Sequence, residues 1–117
     1  FGSAKQRILP QYPLTGFDFG EGRMKTGMNL LLWTGHVTEE HYPIMQDIKA
    51  TGFDGVEIPI FGGDPAHYAK IKKELDNLGL KCTTVTVVGP EHNPISPDGV
   101  IRTAAVERLK WAIDCNE

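Results

Sequence analysis

Three short apolar segments recur at a fixed spacing along this chain, and that spacing limits the folds that the sequence can adopt. The segments are Thr26–Trp33 (TGMNLLLW), Gly55–Phe61 (GVEIPIF) and Lys81–Val88 (KCTTVTVV). Each has the length and composition of a β-strand. Their centres lie near positions 29, 57 and 85, so both intervals are 28 residues (57 − 29 and 85 − 57). An interval of this length accommodates one helix and two short loops between successive strands.

Helix signals fill the first interval. The segment EEHYPIMQDIKATG places Ile44, Met45 and Ile48 on one helical face, and Gly52 stands where a left-handed C-terminal cap belongs. Because proline is tolerated only in the first turn of a helix, Pro43 predicts that this helix begins late.

The second and third helices have clearer starting signals. Asp64 is a good N-cap with proline directly after it, and Gly79 ends the apolar stripe that follows. After the third strand, the loop GPEHNPI leads to SPD, which predicts a helix capped by Ser96 with Pro97 as its first residue. This third helix is predicted to run to about Cys115.

The order of these elements defines an α/β fold. Strands that are joined through helices by short loops are parallel and have right-handed crossovers. Strands that are apolar almost throughout indicate a sheet covered on both faces. Three βα units are fewer than a closed (β/α)8 TIM barrel contains, since such a barrel usually needs about 250 residues. A small doubly wound sheet likewise needs about five strands, so both architectures stay open here. We therefore expect this chain to be the N-terminal part of a larger α/β domain.

The N-terminal segment differs from the rest of the chain. Residues 1–23 (FGSAKQRILPQYPLTGFDFGEGR) are rich in Gly and Pro and have no helical or strand periodicity. We interpret them as a leader, tag or linker before a native start at Met24, so that the domain comprises residues 24–117. An alternative stays open, because TGFD at positions 15–18 repeats the TGFD at positions 51–54 and could be the remnant of a helix-to-strand junction.

Composition excludes several classes of partner. The chain has 117 residues, of which 40% are hydrophobic and 23% charged, and its formal net charge is −3. This charge is weak and has the wrong sign for binding nucleic acid or an anionic membrane. The sequence has no run of about 18 apolar residues that could span a membrane. Cys82 and Cys115 form no C-x-x-C pair, so reduced thiols and a cytoplasmic location are expected.

Four segments in this order resemble a known family. They are MKTGMNLLLW, TGFDGVEIPIF, LGLKCTTVTVV and SPDGVIRTAAVERLKWAID. Together they resemble the N-terminal portion of the xylose-isomerase-like TIM-barrel superfamily, and more closely its sugar phosphate isomerase/epimerase group, which includes D-tagatose and D-psicose 3-epimerases. The resemblance extends from Met24 to about Asp114 and implies that this chain forms the first three βα units of an incomplete (β/α)8 TIM barrel. Its most specific parts are GFDGVEI after a helix and SPD with a following Arg after the third strand.

The resemblance implies a function for the complete protein. Such enzymes are isomerases that close a barrel around one divalent metal, Mn or Mg, held by two Glu, one Asp and one His at the carboxyl ends of later strands. The two glutamates also act as the acid/base pair on a sugar or sugar phosphate. Those strands are absent here, so the resemblance implies that this chain has no catalytic residue and binds no metal, and that alone it is inactive. Its expected macromolecular partner is the rest of the barrel or a second copy in a homo-oligomer.

Five residues are candidates for the substrate pocket. They are Trp33, His36, Glu57, Glu91 and His92. The first two lie at the carboxyl end of strand one and the last two follow strand three, the edge that holds the active site in TIM barrels. Glu57 would face the barrel interior, because side chains alternate along a strand. Alternatives stay open: core packing for Trp33, a solvated loop for His36, a structural hydrogen bond for Glu57 and a turn cluster for the last two.

Three functions compete at this point. The first is a metal-dependent aldose–ketose isomerase or ketose 3-epimerase. The second is a DNA-repair endonuclease on the same barrel with a multi-zinc site, which the acidic balance disfavours. The third is a non-enzymatic α/β fragment or assembly module. The segment HVTEEH is no zinc motif, because its two histidines are not at the i, i+4 spacing of a helical metal pair.

Overall fold

The computed structural model describes residues 22–117, in which strands and helices alternate in the predicted order. The strands and α-helices are β1 (Gly27–Asn29), α1 (Tyr42–Thr51), β2 (Gly55–Pro59), α2 (Pro65–Leu78), β3 (Lys81–Val85) and α3 (Gly99–Asp114). Three short 3₁₀ helices span Leu30–Leu32, Glu39–His41 and Pro90–His92. The predicted leader lies outside the described residues except for Gly22 and Arg23. No helix within residues 22–117 is both long and apolar enough to cross a membrane.

The three strands form one open parallel sheet in the order β1-β2-β3. Asn29 pairs with Glu57, and Glu57 pairs with Thr83, so all three residues lie in one row across the sheet. The parallel pairing and the alternating helices confirm the α/β class.

The first strand is shorter than the sequence predicts. The apolar run Thr26–Trp33 was expected to be one strand, but the strand ends at Asn29 and Leu30–Leu32 forms a 3₁₀ helix. The Asn29 side chain causes this change, because its oxygen accepts a hydrogen bond from the backbone N–H of Leu31 at 2.8 Å. An N-cap of this kind starts a helical turn inside an apolar run.

The helix ends agree with the sequence signals at two of three helices. Helix α1 begins late, after a 3₁₀ turn and with Pro43 in its first turn. Helix α2 has Asp64 as its N-cap and Gly79 in the left-handed region at φ +65°. The predicted Ser96 cap of α3 is wrong. Asp98 is the N-cap, because its carboxylate accepts from the N–H of Val100 at 2.8 Å, and α3 begins at Gly99.

The core lies between one face of the sheet and the helices. Val56, Ile58 and Ile60 of the second βα unit are buried there. They belong to a cluster of buried residues: Leu30, Val37, Met45, Ile48, Val56, Ile58, Ile60, Tyr68, Ile71, Leu75, Leu80 and Cys115. The opposite face carries polar side chains over an open groove, whereas the apolar strands predicted a cover on both faces. The packed face therefore supplies the hydrophobic stabilisation of the described part of the chain.

Asp54 ties the start of β1 to the start of β2. Its carboxylate accepts from the backbone N–H of Thr26 at 2.8 Å and pairs with Arg23, the last residue of the predicted leader. The N–H groups of Asp54 and Gly55 both donate to the carbonyl of Thr26. The Thr26 N–H is the largest cause that lowers the pKa of Asp54 below its ordinary value of 3.8. Desolvation is next and raises this pKa, and the Arg23 guanidinium then lowers it further.

We expect this carboxylate to make stability depend on acidic pH. Because the pKa of Asp54 is lower in the folded state than in the unfolded state, its contribution is present above pH 3.8 and is lost as the pH falls through the folded pKa. Thermal unfolding measured from pH 6 down to pH 2 should therefore show a shallower loss of midpoint below about pH 4 for Asp54→Asn than for wild type. Asp47→Asn, at an exposed helix position, is the control and should keep the wild-type slope. Equal slopes for Asp54→Asn and wild type would contradict the prediction.

Candidate functional site

A row of three polar side chains crosses the sheet on the face that the helices leave open. The side-chain amide of Asn29 donates to Oε2 of Glu57 at 2.6 Å, and the hydroxyl of Thr83 donates to Oε1 at 3.4 Å. Each carboxylate oxygen thus has a donor from a neighbouring strand. These contacts explain why a half-buried acid is tolerated in the middle strand.

An open groove of about 420 Å³ lies over this row. Besides the row itself, its wall includes Lys25, Asp54, Gly55 and Lys81 at the amino-terminal end of the sheet. Glu57 therefore lies in the middle of the sheet face, two pairs of the register before Pro59, and not at the carboxyl edge with the other candidates.

Replacing Glu57 should reveal what its hydrogen bonds contribute. Glu57→Gln keeps an acceptor for Asn29 and an amide for Thr83, and is expected to change the free energy of unfolding by less than about 1 kcal/mol. Glu57→Ala leaves the Asn29 amide without its acceptor and should cost about 1–3 kcal/mol. Urea unfolding measures both, with the exposed Glu107→Ala as control. A Gln variant as unstable as the Ala variant would show that the negative charge matters more than these bonds.

At the carboxyl edge, Trp33 and His36 lie on the loop that follows the first 3₁₀ helix. Trp33 is 48% exposed, so the alternative interpretation, in which it packs in the core, is wrong. The loop is braced by Thr34, whose hydroxyl donates to the carbonyl of His36 at 2.9 Å and accepts from its N–H at 3.0 Å. His36 is exposed and therefore accessible to a ligand.

The His36 ring is stacked on the ring of His67, which the sequence did not single out. The ring centroids are 4.5 Å apart and the planes differ by 12°. Nε2 of His67 donates to the carbonyl of Val37 at 2.9 Å, and the Tyr68 ring meets the His67 ring edge-on. His67 occupies the first turn of α2, the turn nearest the carboxyl edge of the sheet. This position is the one feature of the sequence that could have identified His67 as a candidate site residue.

Residues 61–64 of the loop between β2 and α2 complete this edge. A Cβ placed on Gly35 would lie 3.5 Å from the Phe61 ring, so this ring lies directly against the loop after β1. Gly63 has φ +93°, and a Cβ there would lie 3.6 Å from the His36 ring. The loops after β1 and β2 are therefore in contact and form one surface.

Glu91 and His92 form a separate pair on the 3₁₀ helix after β3. Nδ1 of His92 lies 3.3 Å from Oε1 of Glu91. The backbone N–H of Glu91 itself, followed by His92 and Arg108, lowers the pKa of Glu91, whose carboxylate folds back over Gly89. Within residues 22–117, no hydrogen bond or ion pair joins this pair to the other candidates. The five candidate residues therefore fall into three places: the loop after β1, the sheet face and the loop after β3.

The side chains in the described part of the chain do not suit a divalent metal. No group of three or more His, Cys, Asp or Glu residues converges among residues 22–117. The His36–His67 stack and the Glu91–His92 pair each offer two donors, whereas Mn and Mg require more ligands. The implied metal of the complete protein stays a prediction.

Comparison with solved structures identifies the class of fold. A D-psicose 3-epimerase determined in the presence of D-fructose matches with a TM-score of 0.65 and 22% identity over 79% of this chain. A D-psicose 3-epimerase of Clostridium cellulolyticum with D-tagatose matches with a TM-score of 0.59 and 22% identity over 80%. A protein provisionally described as a sugar phosphate isomerase/epimerase, from Anabaena variabilis, matches with a TM-score of 0.57 and 22% identity over 80%.

These similarities confirm the predicted fold. The chain spans only 33–35% of the length of the three solved chains, which agrees with a part of a (β/α)8 barrel. The resemblance to the D-psicose 3-epimerase and sugar phosphate isomerase/epimerase group is therefore confirmed at the level of fold. No family profile matches the sequence. No curated protein matches it either.

Proposed function

We propose that this chain forms the first three βα units of a sugar or sugar phosphate isomerase/epimerase. The observation that carries the proposal is the structural match to D-psicose 3-epimerase at a TM-score of 0.65, over 79% of the chain. The reaction of the complete barrel is proton transfer next to the carbonyl of a ketose or aldose, with Mn or Mg bound. When bound, the metal supplies polarisation of the carbonyl and the adjacent hydroxyl.

The residues of this chain contribute binding and orientation. The half-exposed indole of Trp33 offers a flat apolar surface for the apolar face of a sugar, and the His36 imidazole offers a hydrogen bond to a hydroxyl. Glu91 and His92 contribute to the wall of the proposed substrate pocket from the loop after β3. Glu57 supports the barrel interior through its row of hydrogen bonds. In this proposal the base and the metal ligands belong to other βα units, as the resemblance to the isomerase/epimerase group implies.

The proposed partners follow from the open sheet. Both β1 and β3 have one edge without a neighbouring strand in the described sheet. Such edges need to be covered, and the rest of the barrel or a second copy of the chain would cover them. The proposed location is the cytoplasm, where the two free thiols would stay reduced.

A ligand titration tests the proposal. The complete barrel protein is titrated with D-psicose, D-tagatose and D-fructose, and the NMR signals of the Trp33 indole and the His36 ring are followed. We expect saturable shifts of both signals with at least one ketose. Shifts that fail to saturate with every ketose and sugar phosphate tested, together with cleavage of damaged DNA in the presence of zinc, would favour the endonuclease alternative.

A further inference from the structure

Three consecutive carbonyl groups of the loop after β2 accept hydrogen bonds from side chains of helices. The carbonyl of Phe61 accepts from Nη2 of Arg108 at 2.8 Å, and the carbonyl of Gly63 accepts from the indole Nε1 of Trp111 at 3.2 Å. The carbonyl of Gly62, between them, accepts from the hydroxyl of Tyr68. Two of the three donors come from α3, more than 40 positions away along the chain.

The two donors on α3 also hold each other. Arg108 and Trp111 are three positions apart and therefore lie on the same face of the helix. The guanidinium carbon of Arg108 lies 4.0 Å from the centroid of the Trp111 ring, a cation–π contact. This stacking restricts both side chains, so less conformational entropy is lost when each forms its hydrogen bond to the loop.

The loop that these residues hold contacts the candidate site directly. The Phe61 ring lies against Gly35, and Gly63 lies beside the His36 ring. His67, at the start of α2, stacks on His36 from the same side. A displacement of the loop would therefore change the position of His36.

The loop also needs external support. Gly62 and Gly63 are flexible residues, and Gly63 adopts φ +93°, which is outside the region preferred by other residues. Without the three side-chain donors, two adjacent glycines would allow several loop conformations.

We propose that Arg108 and Trp111 are positioning residues that fix the loop after β2 and thereby hold His36 and His67 at the substrate edge. Substrate binding at this edge rests on the proposed function, whereas the positioning of the two histidines rests only on the contacts described. Neither residue would touch the sugar, because both act through the loop.

The test uses two conservative variants and one matched control. Trp111→Phe keeps the ring under Arg108 but removes the indole donor, and Arg108→Lys keeps the charge but removes the planar fork. Arg102→Lys is the control, because Arg102 also lies on α3 and also donates to backbone carbonyls, those of Ser96 and Pro97. The NMR order parameters of the backbone N–H groups at positions 61–64, hydrogen exchange in the strands and helices, and the NMR signals of the two imidazole rings are measured in the full chain.

We expect each variant to lower the order parameters at positions 61–64 from about 0.85, the value of a rigid backbone, toward about 0.6, the value of a flexible one. The His36 and His67 signals should shift, while exchange in β2 and the control variant stays as in wild type. Unchanged order parameters of the loop and unchanged imidazole signals would overturn the proposal. A uniform acceleration of hydrogen exchange that includes β2 would also overturn it, because it indicates general loss of stability.

A second measurement separates this proposal from the proposed function. In the complete barrel, Trp111→Phe should raise the ketose KM severalfold with a smaller change in kcat. A displaced loop after β2 weakens substrate binding more than it slows the chemical step. A loosened loop with shifted imidazole signals supports the positioning role whether or not the KM for the ketose changes. The same loosening with no change in KM would count against a ketose pocket at this edge.

Discussion

Replacing Gly55 with alanine is expected to lower the free energy of unfolding by about 2–3 kcal/mol, as overpacking in a close-packed interior does. A Cβ at this position would lie 2.5 Å from the carbonyl oxygen of Lys81 and 3.0 Å from its carbonyl carbon. Both atoms belong to the backbone of β3, which pairs with Gly55 in the parallel register. The clash can be relieved only by separating the two strands. The close approach of β2 and β3 therefore requires glycine at position 55 of the GFDGVEI segment.

Gly62→Ala is the matched control for this prediction. A Cβ at Gly62 would meet no atom within 4 Å, and its φ is not positive. Its effect should stay within about 0.5 kcal/mol, the usual range of surface substitutions. Urea unfolding of the two variants measures the difference. If Gly55→Ala is no less stable than Gly62→Ala, the described pairing of β2 with β3 is wrong.

Replacing Trp33 with alanine should weaken ketose binding by the complete barrel about tenfold, which corresponds to about 1.4 kcal/mol. The indole is half exposed at the carboxyl edge, beside the loop that carries His36. A sugar stacked on it would bury the apolar face of both partners, and aromatic side chains dominate such contacts. Trp33→Phe should restore part of the affinity, because it keeps a flat ring.

Leu32→Ala provides the control for Trp33. Leu32 is 71% exposed and ends the 3₁₀ helix directly before Trp33, so its loss tests for a general effect of truncating an apolar side chain there. We expect the ketose dissociation constant of Leu32→Ala to equal that of wild type. A similar loss of affinity in both variants, measured by the same titration, would remove Trp33 from the proposed sugar wall.

The α/β order of the chain could be predicted because it depends on local signals. The Asp64 cap and Gly79 each act within a few residues of the chain, and the 28-residue interval follows from the length of one helix and two short loops. The structure confirms the elements that they define. The end of β1 could not be predicted from apolar periodicity. A single side chain, Asn29, decides it by capping Leu31, and an amide inside an apolar run can equally serve as a strand residue.

The candidate site was harder to predict because its contacts are between distant segments. The sequence predicted strand centres near positions 29, 57 and 85 but no register, and the register pairs Glu57 with Thr83. The stack of His67 on His36 depends on the relative placement of two loops, which no local pattern encodes. The same holds for Arg108 and Trp111, which periodicity alone assigns to a helix surface.

The most direct test of the central claim is deuterium incorporation into a ketose from solvent. The complete barrel protein and the 117-residue chain are each incubated with D-psicose or D-tagatose in deuterated water, with and without Mn or Mg. We expect metal-dependent exchange of the hydrogen next to the carbonyl by the complete barrel and none by the chain alone. This follows because proton removal requires a base within hydrogen-bonding reach and an electrophile on the oxygen. Exchange by the chain alone that Glu57→Gln abolishes would contradict the account and place the catalytic centre on these three strands.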